Sequence, residues 1–168
     1  MPAIQSKIDV SGEAFQRGRT KMLALIERLR ALEARTRDES AKAKPLFDKR
    51  GQLLPRERIA RLLDPGAPWL ELSSMAGYCL DNPDPGKTIP GGGMIAGIGY
   101  VAGVRSMVVA SDSGIDAGAI QHMGREKLLR AQGLALENKL PFVHLVESAG
   151  ANLLKYRVEG FVHGGAIF

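Results

Sequence analysis

Cysteine is nearly absent: Cys79 is the single one in 168 residues. A lone cysteine closes no internal disulfide, so a reducing, cytoplasmic setting is expected. In YCLDN it has no base or cation beside it in sequence, and it reads as a small buried apolar residue rather than a reactive thiolate. Aromatic residues make up only 5% of the chain. No apolar run approaches the ~20 residues that a membrane span requires. The first residues, MPAIQSKIDVSGEAF, contain no apolar leader core, so neither a signal peptide nor a membrane anchor is expected. The three histidines, His122, His144 and His163, are scattered. No His/Cys cluster has metal spacing, and no metal site is expected. Ser148 lacks the nucleophile-elbow pattern around it.

What remains is an ordinary globular composition, 45% apolar and 24% charged, long enough for one domain with a sizeable core. The net charge of +5 is uneven. Residues 1–61 hold 15 Lys/Arg against 8 Asp/Glu, and the rest of the chain is slightly acidic. A basic arm of this kind can bind nucleic acid through charge alone. Its acids are interspersed and no aromatics are interleaved for stacking, so a solvated helical face is the expected state and nucleic acid is not an expected partner.

Periodicity predicts a long helix from Glu13 to about Lys42, with Ser11 as its cap. Phe15, Met22 and Leu29 recur at seven-residue spacing, as do Leu25 and Leu32, so this face is expected to pack on the rest of the subunit or on a neighbour. Lys44 and Pro45 are read as its end. Pro55 opens a short helix through Leu63, Asp64-Pro65-Gly66 stops it, and Trp69 to Leu72 is extended. Residues 81–93, DNPDPGKTIPGGG, form a loop carrying Lys87, which can touch an anionic ligand or simply be exposed. Strands follow at Met94 to Val101 and Arg105 to Ala110, joined by a tight Ala102-Gly103 turn. Gly97 and Gly99 fall inside the first strand, which excludes a dinucleotide-binding loop. A glycine-rich turn at 112–120, DSGIDAGAI, leads into a helix from about His122 to Glu137.

Residues 139–155, KLPFVHLVESAGANLLK, are the most informative. Phe142 to Val146 reads as a buried strand that breaks into Ser148, Ala149, Gly150 and Ala151, with a helix resuming at Asn152. Backbone amides converging at such a turn suit a developing oxyanion, such as the enolate of a thioester. Strand–glycine–helix turns also occur widely with no ligand at all. Glu147, beside the turn, can serve as a general base or pair with a cation.

A further segment, residues 50–72 (RGQLLPRERIARLLDPGAPWLEL), resembles the signature of the carboxyltransferase subunits of biotin-dependent acyl-CoA carboxylases. The matching groups are Arg50, Gly51 and Leu53; Arg56 to Ile59; Leu62 to Gly66; and Trp69 to Leu72, with Gln52 where that family often has Lys. The resemblance continues in order through IPGGGMIAGIGYVAG, DAGAI and the segment at 139–155, so it covers about residues 45–168. It is nearest the branch with the methylcrotonyl-, geranyl- and propionyl-CoA enzymes.

The resemblance implies an α/β, crotonase-like (ClpP/crotonase) fold, present in part, with a helical arm at 1–49 and the first part of an acyl-CoA-binding domain at 50–168. It implies backbone oxyanion donors at Gly118, Ala119, Ala149 and Gly150, with Ser148, Ala151 and Lys87 near the substrate. Family members usually carry Ser-Gly-Gly-Ala where this chain has Ser148-Ala149-Gly150-Ala151, and a Cβ at Ala149 narrows the allowed backbone. The implied chemistry moves a carboxyl group from carboxybiotin to a coenzyme A thioester. The implied partners are a biotin carboxylase/biotin carrier subunit and further copies of the full-length subunit, and some arm cations can meet coenzyme A phosphates. The family's subunits are longer, and FVHGGAIF at the end reads as the opening of another helix, so residues 1–168 alone are expected to be inactive. Two other readings stay open: a hydratase or decarboxylase of the same fold using Glu147, and a non-catalytic basic binding module using residues 1–61.

Overall fold

The computed structural model describes residues 6–80 and 82–151. The expected helix from Asn152 and the FVHGGAIF segment lie outside the described residues. Helix α1 runs Glu13–Ala41, close to its expected bounds. Ser11 does not cap it. Gly12 takes that position, and the Ser11 hydroxyl donates instead to Asp9 Oδ1 at 2.6 Å. A short acidic side chain two residues back offers the hydroxyl a local partner that competes with the helix end. Pro45 does not stop the chain either. It lies in the first turn of a second helix, α2 (Lys44–Lys49), where a missing N–H costs nothing. Helix α3 is Pro55–Leu62, and the Glu57 carboxylate accepts the Leu54 N–H at 2.8 Å to satisfy its first turn.

Among the described residues four strands follow: β1 (Leu70–Glu71), β2 (Met94–Val101), β3 (Val104–Ser111) and β4 (Phe142–Leu145). They form one sheet in the order β1-β2-β3-β4. The first two pairings are antiparallel, and β3 pairs with β4 in parallel, Met107 opposite Phe142 and Ala110 opposite Leu145. The parallel pair requires a crossover, and helix α4 (His122–Glu137) provides it.

The two-residue period of β2 and β3 divides the core between the two faces. Met94, Ala96, Met107 and Val109 pack with Leu128, Ala131 and Ala135 of α4. Ile95, Val108 and Ala110 pack with Ile59 of α3. β3 is therefore buried on both faces from Ser106 onward. β4 was expected to be buried and is only half-buried. It is the outer strand of the sheet among the described residues, so one flank lacks a neighbour.

Two features of the 50–72 segment explain its residue choices. The Asp64 carboxylate accepts the N–H groups of Ala102 and Gly103 at 2.8 and 2.7 Å, holding the β2–β3 turn where Ala102 takes an unfavourable φ of 51°. The Trp69 ring lies against the Cα of Gly97, where any Cβ would overlap it. The glycine in β2 is thus a packing requirement.

The second half of α1 docks through polar groups. Arg35 Nη1 donates to the carbonyls of Pro85 and Thr88 at 2.7 and 3.1 Å, Thr36 Oγ1 to Pro90 O at 3.0 Å, and Ser40 Oγ to Asp112 Oδ1 at 2.5 Å. The seven-residue apolar face does not dock. Phe15, Met22, Leu25 and Leu29 stay exposed.

Candidate functional site

The carboxyl ends of a parallel strand pair collect the loops that follow them, and ligands of α/β sheets bind there. In this chain the two small-residue turns leave β3 and β4 at that same end. They meet. The carbonyl of Ala117 accepts the Ala149 N–H at 3.1 Å, and the carbonyl of Gly150 accepts the Ile120 N–H at 2.8 Å. The Ser148 hydroxyl donates to Gly118 O at 2.8 Å. Ile120 and Ala151 form a parallel bridge.

This close approach depends on Gly118. Its φ is +71°, and an added Cβ would collide with the carbonyl oxygen of Glu147. Ala117 beside it is also left-handed, at φ 51°. Such a conformation costs about 1–3 kcal/mol in a residue other than glycine, and the surrounding hydrogen bonds hold it.

The four expected amide donors are all engaged within the chain. The Gly118 N–H donates to Ile115 O, the Ala119 N–H to Asp116 O, and the Ala149 N–H to Ala117 O. The Gly150 N–H differs, because it donates to the rotatable hydroxyl of Ser148 at 3.0 Å. Ser148, Gly150 and Ala151 are exposed. Lys87 stands apart on its loop, highly exposed, with Asp84 as its ion-pair partner at 3.7 Å. Glu147 is taken up by cations and hydroxyls: Arg58 of α3 pairs with its Oε2, and Ser113 Oγ donates to the same oxygen at 2.7 Å. Cys79 is half-buried, at φ 57°, with its N–H bonded to Thr88 Oγ1.

Around Asp112, at the start of the first turn, lies a partly buried charged cluster that periodicity alone did not single out. Arg56 and Glu71 form a bidentate pair at 2.8 and 2.9 Å. Burial works against both charges, but their mutual hydrogen bonds outweigh it, so the guanidinium is held more firmly protonated and the carboxylate more firmly ionised. Burial raises the Asp112 carboxyl, partly offset by Ser40. Lys127 of α4 is 4% exposed and donates to the carbonyls of Met94 and Gly91 at 2.7 and 3.3 Å. The signal for Lys127 was present: it sits in the helical stripe of Gly124, Leu128 and Ala131, all buried.

Burial lowers Lys127 from 10.5 to about 8, despite Glu71 and Asp112 nearby. The unfolded chain keeps this proton up to about pH 10.5, whereas the folded chain releases it near 8. The folded state therefore binds fewer protons across that window, and stability rises with pH through it. The gap corresponds to about 3 kcal/mol. Urea unfolding of wild type and Lys127→Met, compared below pH 8 and near pH 10, should show this rise in wild type alone. Parallel curves for the two proteins would remove Lys127 as its source.

Among the described residues no group of three or more His, Cys, Asp or Glu side chains could hold a metal ion. No described helix is long and apolar enough to cross a membrane.

Comparison with known proteins bears on the same residues. The family described as "Carboxyl transferase domain" matches residues 48–168. A probable methylcrotonoyl-CoA carboxylase beta chain of Drosophila melanogaster is 37% identical over 151 residues, 89% of this chain and 26% of that protein. A probable biotin-dependent acyl-coenzyme A carboxylase beta2 subunit of Mycobacterium tuberculosis is 36% identical over 98% of this chain and 30% of its own length. The crystal structure of the Pseudomonas aeruginosa geranyl-CoA carboxylase beta subunit is 57% identical, with a TM-score of 0.87 over 98% of this chain and 30% of that one. The chain thus spans between a quarter and a third of the length of these relatives.

Proposed function

This chain belongs to the carboxyl transferase domain family, with a crotonase-like α/β fold, and from that premise we propose that its parent protein carboxylates an acyl-CoA. The observation that carries the reading is the junction of the two turns at the carboxyl ends of β3 and β4. A thioester carbonyl placed there faces small residues and, once the Ser148 hydroxyl turns away, the Gly150 N–H, which suits the negative charge an enolate develops. Gly150 supplies the more exchangeable amide, since a hydroxyl can rotate away from it while a backbone carbonyl cannot. Gly118 and Ala119 supply the facing turn, and Ser148 and Ala151 border the thioester.

We assign this chain to the acyl side of the chemistry. Carboxybiotin, when bound, supplies the carboxyl group and accepts the substrate proton. This chain's part is to hold the thioester and its charge. The partners are a biotin carboxylase/biotin carrier subunit and other copies of the full-length subunit. Residues 1–49 are read as a helical arm, tied to the 82–93 loop by Arg35 and Thr36, and 50–168 as the first part of the acyl-CoA-binding domain. Lys87, exposed on that loop, is the cation proposed to meet an anionic group of coenzyme A. The acyl groups to try first are those in the relatives' names, methylcrotonyl and geranyl. We place the protein in the cytoplasm, on the single cysteine.

The test is to combine the full-length protein with a biotin carboxylase/biotin carrier subunit, ATP, labelled bicarbonate and a panel of acyl-CoAs. Label should enter an acyl-CoA, and avidin should block it. Acyl-CoA hydration or decarboxylation that proceeds without biotin would overturn the proposal.

A further inference from the structure

We propose that Glu147 is a positioning residue, clamped by Arg58 and Ser113 so that the turns after β3 and β4 stay in register. Three elements meet at one carboxylate oxygen. Arg58 comes from α3, and its Nε is fixed by the Leu53 carbonyl at 3.1 Å. Ser113 lies at the start of the turn after β3 and is itself buried. Glu147 is the last residue before Ser148. One oxygen accepting from both a guanidinium and a hydroxyl ties the two turns to the helix across the sheet. Charge-assisted bonds of this kind are stronger and more directional than neutral ones.

The backbone bonds from Ala149 to Ala117 and from Ile120 to Gly150 lie just beyond this clamp. A carboxylate so engaged is poorly suited to take a substrate proton, because its charge is already spent on a fixed cation. Its effect on turnover is through the amides of the adjacent turn. Errors of about 1 Å in such placement cost roughly 10²-fold in rate.

The kinetic consequence rests on the carboxyl-transfer reading; the structural one does not. In the full-length protein, Glu147→Gln and Arg58→Met should each lower kcat roughly 10- to 100-fold, with the acyl-CoA KM little changed. The pH profile of kcat should keep its shape. The double variant should be no worse than the worse single one, as expected of residues acting as a unit. Arg58→Lys, which retains the charge, should recover part of the loss. Amide hydrogen exchange across Ile120 and Ala149 should quicken in Glu147→Gln and Arg58→Met.

Loss of one pH limb in Glu147→Gln but not in Arg58→Met would overturn the proposal in favour of proton transfer. Unchanged exchange in both variants would overturn it as well. Should the wild-type protein carboxylate no acyl-CoA, the functional proposal fails, and the exchange comparison still decides the clamp.

Discussion

Gly118→Val in the full-length protein is expected to reduce carboxyl transfer by roughly 10²–10³, the scale of losing an oxyanion donor. Two effects act together. A β-branched residue is forced toward φ +71°, and its Cβ meets the Glu147 carbonyl oxygen. The turn after β4 must then withdraw, which separates the amides of Ala149 and Gly150 from those of Gly118 and Ala119. The neighbouring substitution Ala117→Gly should behave oppositely. It relieves a left-handed alanine at φ 51° and leaves the Ala117 carbonyl in place for Ala149. Steady-state turnover together with thermal melts of both variants checks the pair. A folded Gly118→Val protein with wild-type turnover would show that the junction of the two turns is not the acyl site.

Arg56→Met is expected to cost about 1–3 kcal/mol of stability, because it leaves the half-buried Glu71 carboxylate without its cation. A domain commonly has only about 5–15 kcal/mol in total. The paired Glu71 carboxylate is held below its ordinary value of 4.5. Its contribution is thus fully present above that value and is lost as pH falls through the folded-state one. In the variant the order reverses. The unpaired, half-buried carboxylate gains from protonation, so the gap between the two proteins should narrow as pH falls through about 4.5. Denaturant unfolding at neutral and acid pH measures both. A deficit that does not depend on pH would mean that lost packing, and not the ion pair, is the cause.

Sequence period and turn residues were enough to place α1, α3, α4, β2 and β3 within a residue or two, because each carries a local signal. These signals are the seven-residue recurrence in α1, Pro55 at the start of α3, and the Ala102-Gly103 pair without a helical period around it. The same local reading failed at Ser11, where Asp9 competes for the hydroxyl, and it missed α2, whose first turn holds Pro45. It does not say what meets the apolar face of α1, most of which stays exposed within this chain. Seven-residue spacing shows that a stripe exists, but not what meets it, and the arm docks through Arg35, Thr36 and Ser40 instead.

Residue types alone mark the short turns of small residues, 116–120 and 148–151, and their ordered motifs mark the family. That these turns bond to each other, that the Gly150 amide rests on a rotatable hydroxyl, and that Glu147 is held by Arg58 and Ser113 emerge from the folded arrangement. The reason is range. Turn and helix preferences act over a few residues, whereas a parallel β3–β4 pair joins groups some thirty to ninety positions apart, and no periodicity in one dimension encodes which of them meet.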